Sequence, residues 1–272
     1  MSTLDGTVDG AGDNTAAPTW ADRRTPALGG FNRTLVRLEL RRLLRNRRTV
    51  IFTLVLPAAL YLAFGSSPAS SYGDRGLVSA YIMISMAVYG AALATTSGGA
   101  MVSTERALGW SRQLRLTPLS PAAYVAVKLV VALTLGLASV LVVYGVGAFT
   151  GTPQMSTHLW FETGLLAWVG SLVFAAFGLF MGYLLPTENV MQVLGPLMAL
   201  MAFIGGLFTP IQEGSTMDHI AQLTPMYGLA HLARSPLSGE GVHAAWVLNL
   251  VVWLAIFVAG AMWRFRRDTA RV

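Results

Sequence analysis

The chain has 272 residues, of which 54% are hydrophobic and only 12% charged, and its mean hydropathy is +0.57. Soluble domains carry about 25% charged residues, so this balance excludes an ordinary water-soluble fold and points to several membrane-spanning helices. The formal charge of +6 then reads as basic residues beside spans, which fix orientation, and not as a nucleic-acid surface.

Residues 1–30 are Gly-, Ala-, Asp- and Thr-rich without apolar periodicity, and they lack the basic start and short apolar core of a signal peptide. They read as a disordered cytoplasmic tail. Residues 31–48 change character. Arg33, Arg37, Arg41 and Arg45 recur every four residues, while Val36, Leu40, Leu43 and Leu44 cluster on another side. This predicts a basic amphipathic helix lying in the headgroup plane. It serves as a positive-inside anchor, a docking surface for a cytoplasmic partner, or both.

Six spans are expected: 49–65, bent by Pro57; 77–97; 121–150; 159–185; 190–208, with Gly195-Pro196 as a kink; and 244–263. Ser120 is a natural N-cap for the third, with Pro121 at the first helical position. Between spans 5 and 6, residues 211–242 hold two apolar pieces too short to cross, separated by Thr224-Pro225 and Ser235-Pro236, which read as interfacial or re-entrant helices. The fold class is all-α, a polytopic membrane protein. Of the 19 Lys and Arg residues, all but Arg75 and Arg234 fall on one side of this arrangement. Both termini and the polar segment between spans 2 and 3 are therefore expected in the cytoplasm, and the protein in the cell membrane.

The absences narrow the chemistry. No Asp, Glu or Arg falls in the middle of a predicted span, with Glu162 and Lys128 near span ends, so a charge-relay transporter is disfavoured. There is no cysteine, and none of the four histidines, His158, His219, His231 and His243, has H-E-x-x-H spacing. No metal site is expected, and no catalytic constellation. A phosphate-cradling G-x-x-x-x-G-K-[ST] loop is impossible, because the single lysine, Lys128, is followed by Leu129. Energy for any uphill transport is then expected from a separate subunit. Two G-x-x-x-G pairs, Gly147 with Gly151 and Gly178 with Gly182, suit either a dimer contact or packing within the chain.

Three stretches together resemble the permease subunits of type-2 ABC exporters. They are the run E-R-A-L-G-W-S-R-Q-L-R-L-T-P-L-S-P at Glu105–Pro121, the arginine-rich helix before span 1, and G-G-L-F-T-P at Gly205–Pro210 followed by A-Q-L-T-P-M-Y at Ala221–Tyr227. The resemblance covers about residues 31–265. It implies residues 31–48 as a connecting helix with Arg37, Arg41 and Arg45 on its polar face, and a six-helix transmembrane domain over 49–265. Within that domain it implies a coupling segment at 101–121, outer lid helices at 211–242, and a cytoplasmic tail at 266–272. Glu105, Arg106, Gly109, Arg112 and Arg115 become the expected contacts to an ATPase. Met83, Met86 and Tyr89 on span 2, with Met191, Met198 and Met201 on span 5, are the candidate substrate path, with helix packing or lipid contact as the plain alternative. Gly205, Gly206, Pro210, Pro225 and Tyr227 are assigned to the outer lid. The implied partners are two copies of an ABC ATP-binding subunit, which would hold the ATP and Mg, and a second permease copy, identical or similar, in the lipid bilayer. This chain would bind no cofactor itself. The implied activity is export of an apolar or amphipathic molecule such as a drug, antibiotic or lipid-like compound. An ATPase-independent carrier or flippase, and a sensory or scaffold subunit, are the alternatives.

Overall fold

The structure, a computed structural model, describes residues 33–65, 75–109, 120–212, 214–239 and 241–270. Those residues form no strand. Helix α1 is Arg33–Arg45, α2 Arg47–Gly65, α3 Arg75–Ala100 and α4 Val102–Ala107. Next come α5 (Pro121–Thr150), α6 (Thr157–Gly170), α7 (Leu172–Leu184) and α8 (Thr187–Ile204), then α9 (Thr216–Gln222), α10 (Pro225–Ser238) and α11 (Ala244–Ala270). Five helical stretches are long and apolar enough to cross a membrane: 77–107, 122–150, 157–184, 187–204 and 244–267. The apolar part of α2, Val50–Gly65, is shorter. Of the six expected crossings, five thus have a helical stretch of crossing length, and the first, 49–65, has only this shorter helix.

Helix α3 is the axis of the bundle. It packs against α2, α5, α6, α7, α8 and α10, and every residue from Met83 to Ala100 is buried. Its second half is rich in Ala, Gly, Ser and Thr, and small side chains let helix backbones approach closely where lipid supplies no hydrophobic drive. A Cβ added to Gly99 would meet the Leu179 amide nitrogen at 2.7 Å, and one on Gly182 the Ala100 carbonyl oxygen at 2.9 Å. A Cβ on Gly178 would collide with the backbone of Thr96. The Gly178/Gly182 pair therefore joins α7 to α3 inside the chain. In the other pair, Gly147 faces Met83, and Gly151 closes α5 in the left-handed region at φ 64°.

Local signals explain several boundaries. Ser120 caps α5 by accepting from the Ala123 amide at 3.1 Å, with Pro121 in the first turn. The fourth predicted span is not one helix: α6 and α7 meet at Ser171, whose amide is shared between the carbonyls of Ala167 and Trp168. Its hydroxyl also donates to Trp168 O at 2.6 Å. A Gly-Ser pair, here Gly170-Ser171, is a common kink site because it gives the backbone alternatives to the regular ladder. The second predicted span, expected to end at Ser97, continues to Ala100 and then through a turn at Met101 into α4. Helix α11 likewise runs on past Trp263 to Ala270.

Candidate functional site

At the end of α3 a charged cluster joins Glu105, an expected ATPase contact, to Lys128, which the sequence placed near a span end. Lys128, on the second turn of α5, donates to Glu39 Oε2 of α1 at 2.6 Å and also to Glu105 Oε1 of α4. Glu105 is 2% exposed and Lys128 3%. Arg42 of α1 reaches the same Glu105 oxygen at 3.2 Å, and the Tyr124 hydroxyl donates to Glu105 Oε2 at 2.5 Å. Two carboxylates face two cations, so the burial is electrically balanced, the condition under which buried ions are tolerated. The cluster ties three elements, α1, α4 and α5, at one point.

Arg106 turns inward too. Its guanidinium donates to the carbonyls of Gly182 at 3.2 Å and Tyr183 at 2.8 Å, the last turn of α7, where a cation offsets the negative end of the helix. Thr187 at the start of α8 donates to Ser103 O at 2.8 Å. Helix α4 is therefore clamped to α5, α7 and α8 together. What it leaves outward is Ala107 and Leu108, the latter 70% exposed, before Gly109 turns the chain at φ +71°. Arg112 and Arg115 lie outside the described residues.

Helix α1 rests its apolar side on the bundle. Leu43 is buried against Val127, Val131 and Leu135 of α5, with Leu35, Val36 and Leu40 beside it. The amphipathic helix expected from the sequence is present, and its apolar side is docked on protein. Arg37, Arg41 and Arg45 are all exposed on its other side.

Residues 60–263 match the family described as ABC-2 family transporter protein. The chain is also 26% identical over 236 residues to the Bacillus subtilis (strain 168) protein named transport permease YvfS, covering 85% of this chain and 96% of that one. The chain belongs to the ABC-2 transporter family. It is a multi-pass transport permease, and the family setting brings with it an ABC ATP-binding partner.

In this ABC-2 permease, the candidate path residues fall in the packed interior. Met83 and Met198 are fully buried, Met86 and Tyr89 nearly so, and Met201 is partly covered. Thr96 Oγ1 donates to Met198 Sδ at 3.5 Å, and the Tyr89 ring meets Phe208 edge-on at 5.2 Å. For Met191 only its place in α8 is described. The reason is α3's central position: both its methionine and its tyrosine faces meet other helices. The open face of α8 carries Gln192, Pro196, Ala199, Leu200 and Phe203 instead, spaced to fall on one side of the helix.

The residues that the resemblance assigns to an outer lid sit at the opposite end of α3. Gly205 ends α8 against Met226, where a Cβ would come within 2.8 Å of that side chain, and Gly206 turns at φ +69°. Thr224 caps α10, accepting from the Tyr227 amide at 3.3 Å, with Pro225 following in the first turn. Tyr227 stacks on His231 with centroids 4.1 Å apart, and Pro210 is exposed. Sequence reasoning missed Glu39, Arg42 and Tyr124, and it placed Arg234 in an outer loop. Glu39 had one visible signal: it lies four residues from both Leu35 and Leu43, on the face that packs. Among the described residues, no group of three or more His, Asp or Glu side chains is placed to hold a metal ion.

Proposed function

We propose that this permease is the membrane subunit of an ATP-driven exporter, receiving the conformational work of a separate ATP-binding subunit through α1 and the segment 101–121. The observation that carries this reading is the Glu39–Lys128–Glu105–Arg42 cluster. A push applied to a polar surface moves a membrane helix only if the surface is rigidly joined to it, and this cluster joins α1 and α4 to the foot of α5. Helix α4 also follows α3 through the single residue Met101, so the same joint reaches the axis of the bundle. Arg37, Arg41, Arg45 and Leu108 then form the outward side available to a partner, with Arg112 and Arg115 next in sequence. Glu105 and Arg106 act as positioning residues behind that surface.

In this reading both termini are cytoplasmic, α2 is the sixth crossing, and α9 with α10 forms the outer lid. Two permease copies meet along a surface that includes the open face of α8, and two ATP-binding subunits complete the complex. ATP and Mg belong to those subunits. The exported molecule is apolar or amphipathic, as suits a bundle with few ionisable groups at membrane depth.

The test is efflux from vesicles holding the permease together with an ATP-binding subunit. Reversing charge at Arg37, Arg41 and Arg45 together, or at Arg112, is expected to leave membrane insertion intact and to abolish ATP-dependent efflux. Efflux at the wild-type rate from both variants, or efflux that continues without any ATP-binding subunit, would refute the coupling assignment.

A further inference from the structure

Arg234 is one of the two basic residues outside the main basic side, yet it is folded into the protein and only 7% exposed. It lies on α10, which is not one of the crossing helices. Its guanidinium donates to Ser85 Oγ of α3 from Nε at 3.1 Å and Nη2 at 2.6 Å, and to the carbonyls of Gly206 at 3.1 Å and Leu207 at 2.8 Å. It also lies 4.1 Å from the centroid of the Tyr81 ring. All of these partners are uncharged. Among the described residues no carboxylate pairs with Arg234, and a buried cation without a counter-charge is costly.

Arg234 lines a cavity of about 400 Å³, within the range of about 300–1,000 Å³ that holds small molecules. Asp218 lines the same cavity, is 7% exposed, and has no cation paired with it among the described residues. Among the described residues its Oδ2 accepts from the Gly214 amide at 3.2 Å and Gln222 Nε2 at 3.0 Å. Tyr81, Gln222, Tyr227, His231, Ser238 and Trp246 complete the wall. Two buried charges of opposite sign therefore line one cavity with no ion pair between them among the described residues.

We propose that this cavity, under α9 and α10, is a binding site for a zwitterion. Its anionic group, a phosphate or carboxylate, faces Arg234, and its ammonium group lies against Asp218, beside the aromatic cluster of Tyr227, His231 and Trp246. A guanidinium suits an oxyanion, and aromatic faces attract ammonium cations. Such a ligand supplies both missing counter-charges at once, which neither an anion nor a cation alone can do. The site stands apart from the coupling reading: Tyr81 and Glu105 are separated by roughly 35 Å of helix at 1.5 Å per residue, and binding requires no ATP-binding subunit.

The experiment is isothermal titration of the full-length permease in a neutral detergent. Glycerophosphocholine serves as a soluble zwitterion, dihexanoylphosphatidylcholine as a lipid zwitterion, and glycerol phosphate and choline as the separate halves. Saturable binding of a zwitterion at least ten-fold tighter than either half is expected. Arg234→Lys should keep it within a few-fold, Arg234→Gln and Asp218→Asn should each weaken it ten-fold or more, and Ser238→Trp, which fills the cavity from its exposed rim, should abolish it. Tighter binding of the lipid than of glycerophosphocholine assigns the site to a headgroup, and equal binding assigns it to a free solute. Because Arg234 also holds α10 to α3, Asp218→Asn and Ser238→Trp carry the decision if the Arg234 variants do not fold. No zwitterion binding, halves that bind as tightly as the whole, or unchanged binding in both Asp218→Asn and Ser238→Trp overturns the proposal.

Discussion

Lys128 holds two buried carboxylates from two different helices, and its removal takes a cation from both, leaving Arg42 and Tyr124 on Glu105. Lys128→Met is therefore expected to destabilise the permease by about 3–5 kcal/mol, the usual cost of stripping one partner from a buried ion pair. Thermal melting of purified protein checks this. A double variant with Glu39→Leu should recover part of the loss, because it removes one uncompensated charge, and a simple additive loss would contradict the coupling. Arg234 makes a different prediction. Burial lowers its pKa to about 10, against which the Tyr81 contribution is the smaller and opposite one. Below that value the guanidinium is charged both folded and unfolded, so it binds the same number of protons in each state and adds no slope to stability. Only above about pH 10 does the folded form hold fewer protons than the unfolded one, and there stability rises with pH. Melting temperatures from pH 6 to 8 should thus run parallel in wild type and Arg234→Gln, whatever the offset between them.

At the scale of elements, close backbone approach sets the geometry of α3 and α7. Gly178→Leu is expected to leave little monodisperse protein after size-exclusion chromatography, because its side chain would have to enter the backbone of Thr96. Gly145→Ala is the contrasting case. A Cβ there meets nothing within 4 Å, and Ala is favoured over Gly in a helix interior by up to about 1 kcal/mol, so this variant should melt at or slightly above the wild-type temperature. The sequence displayed Gly178 and Gly182 as a generic pair pattern that suits packing within the chain or a dimer contact. Ser120-Pro121 was legible in full, because capping is a local interaction. The break at Ser171 was not, since α6 and α7 are both apolar and a kink leaves hydropathy unchanged.

For the whole molecule, the lack of cysteine gives a ready background for accessibility mapping. Single cysteines at Leu200 and Phe203, 55% and 54% exposed, should react with a membrane-permeant maleimide, while one at Met198, fully buried, should not. If the open face of α8 meets a second copy, the two exposed positions should also form disulfide-linked dimers, and labelling without cross-linking would move that interface elsewhere. Hydropathy by itself determined the helical membrane class and where the long apolar segments lie, because these depend on the transfer of each segment between water and lipid. Which face of each helix is covered, that Glu105 and Arg106 point inward, and that Glu39 and Arg234 are buried were decided only by the tertiary structure. Those outcomes rest on pairs such as Lys128 with Glu39 and Arg234 with Ser85, whose members are 89 and 149 residues apart in the chain. No local pattern encodes such a pairing; packing the helices around α3 creates it.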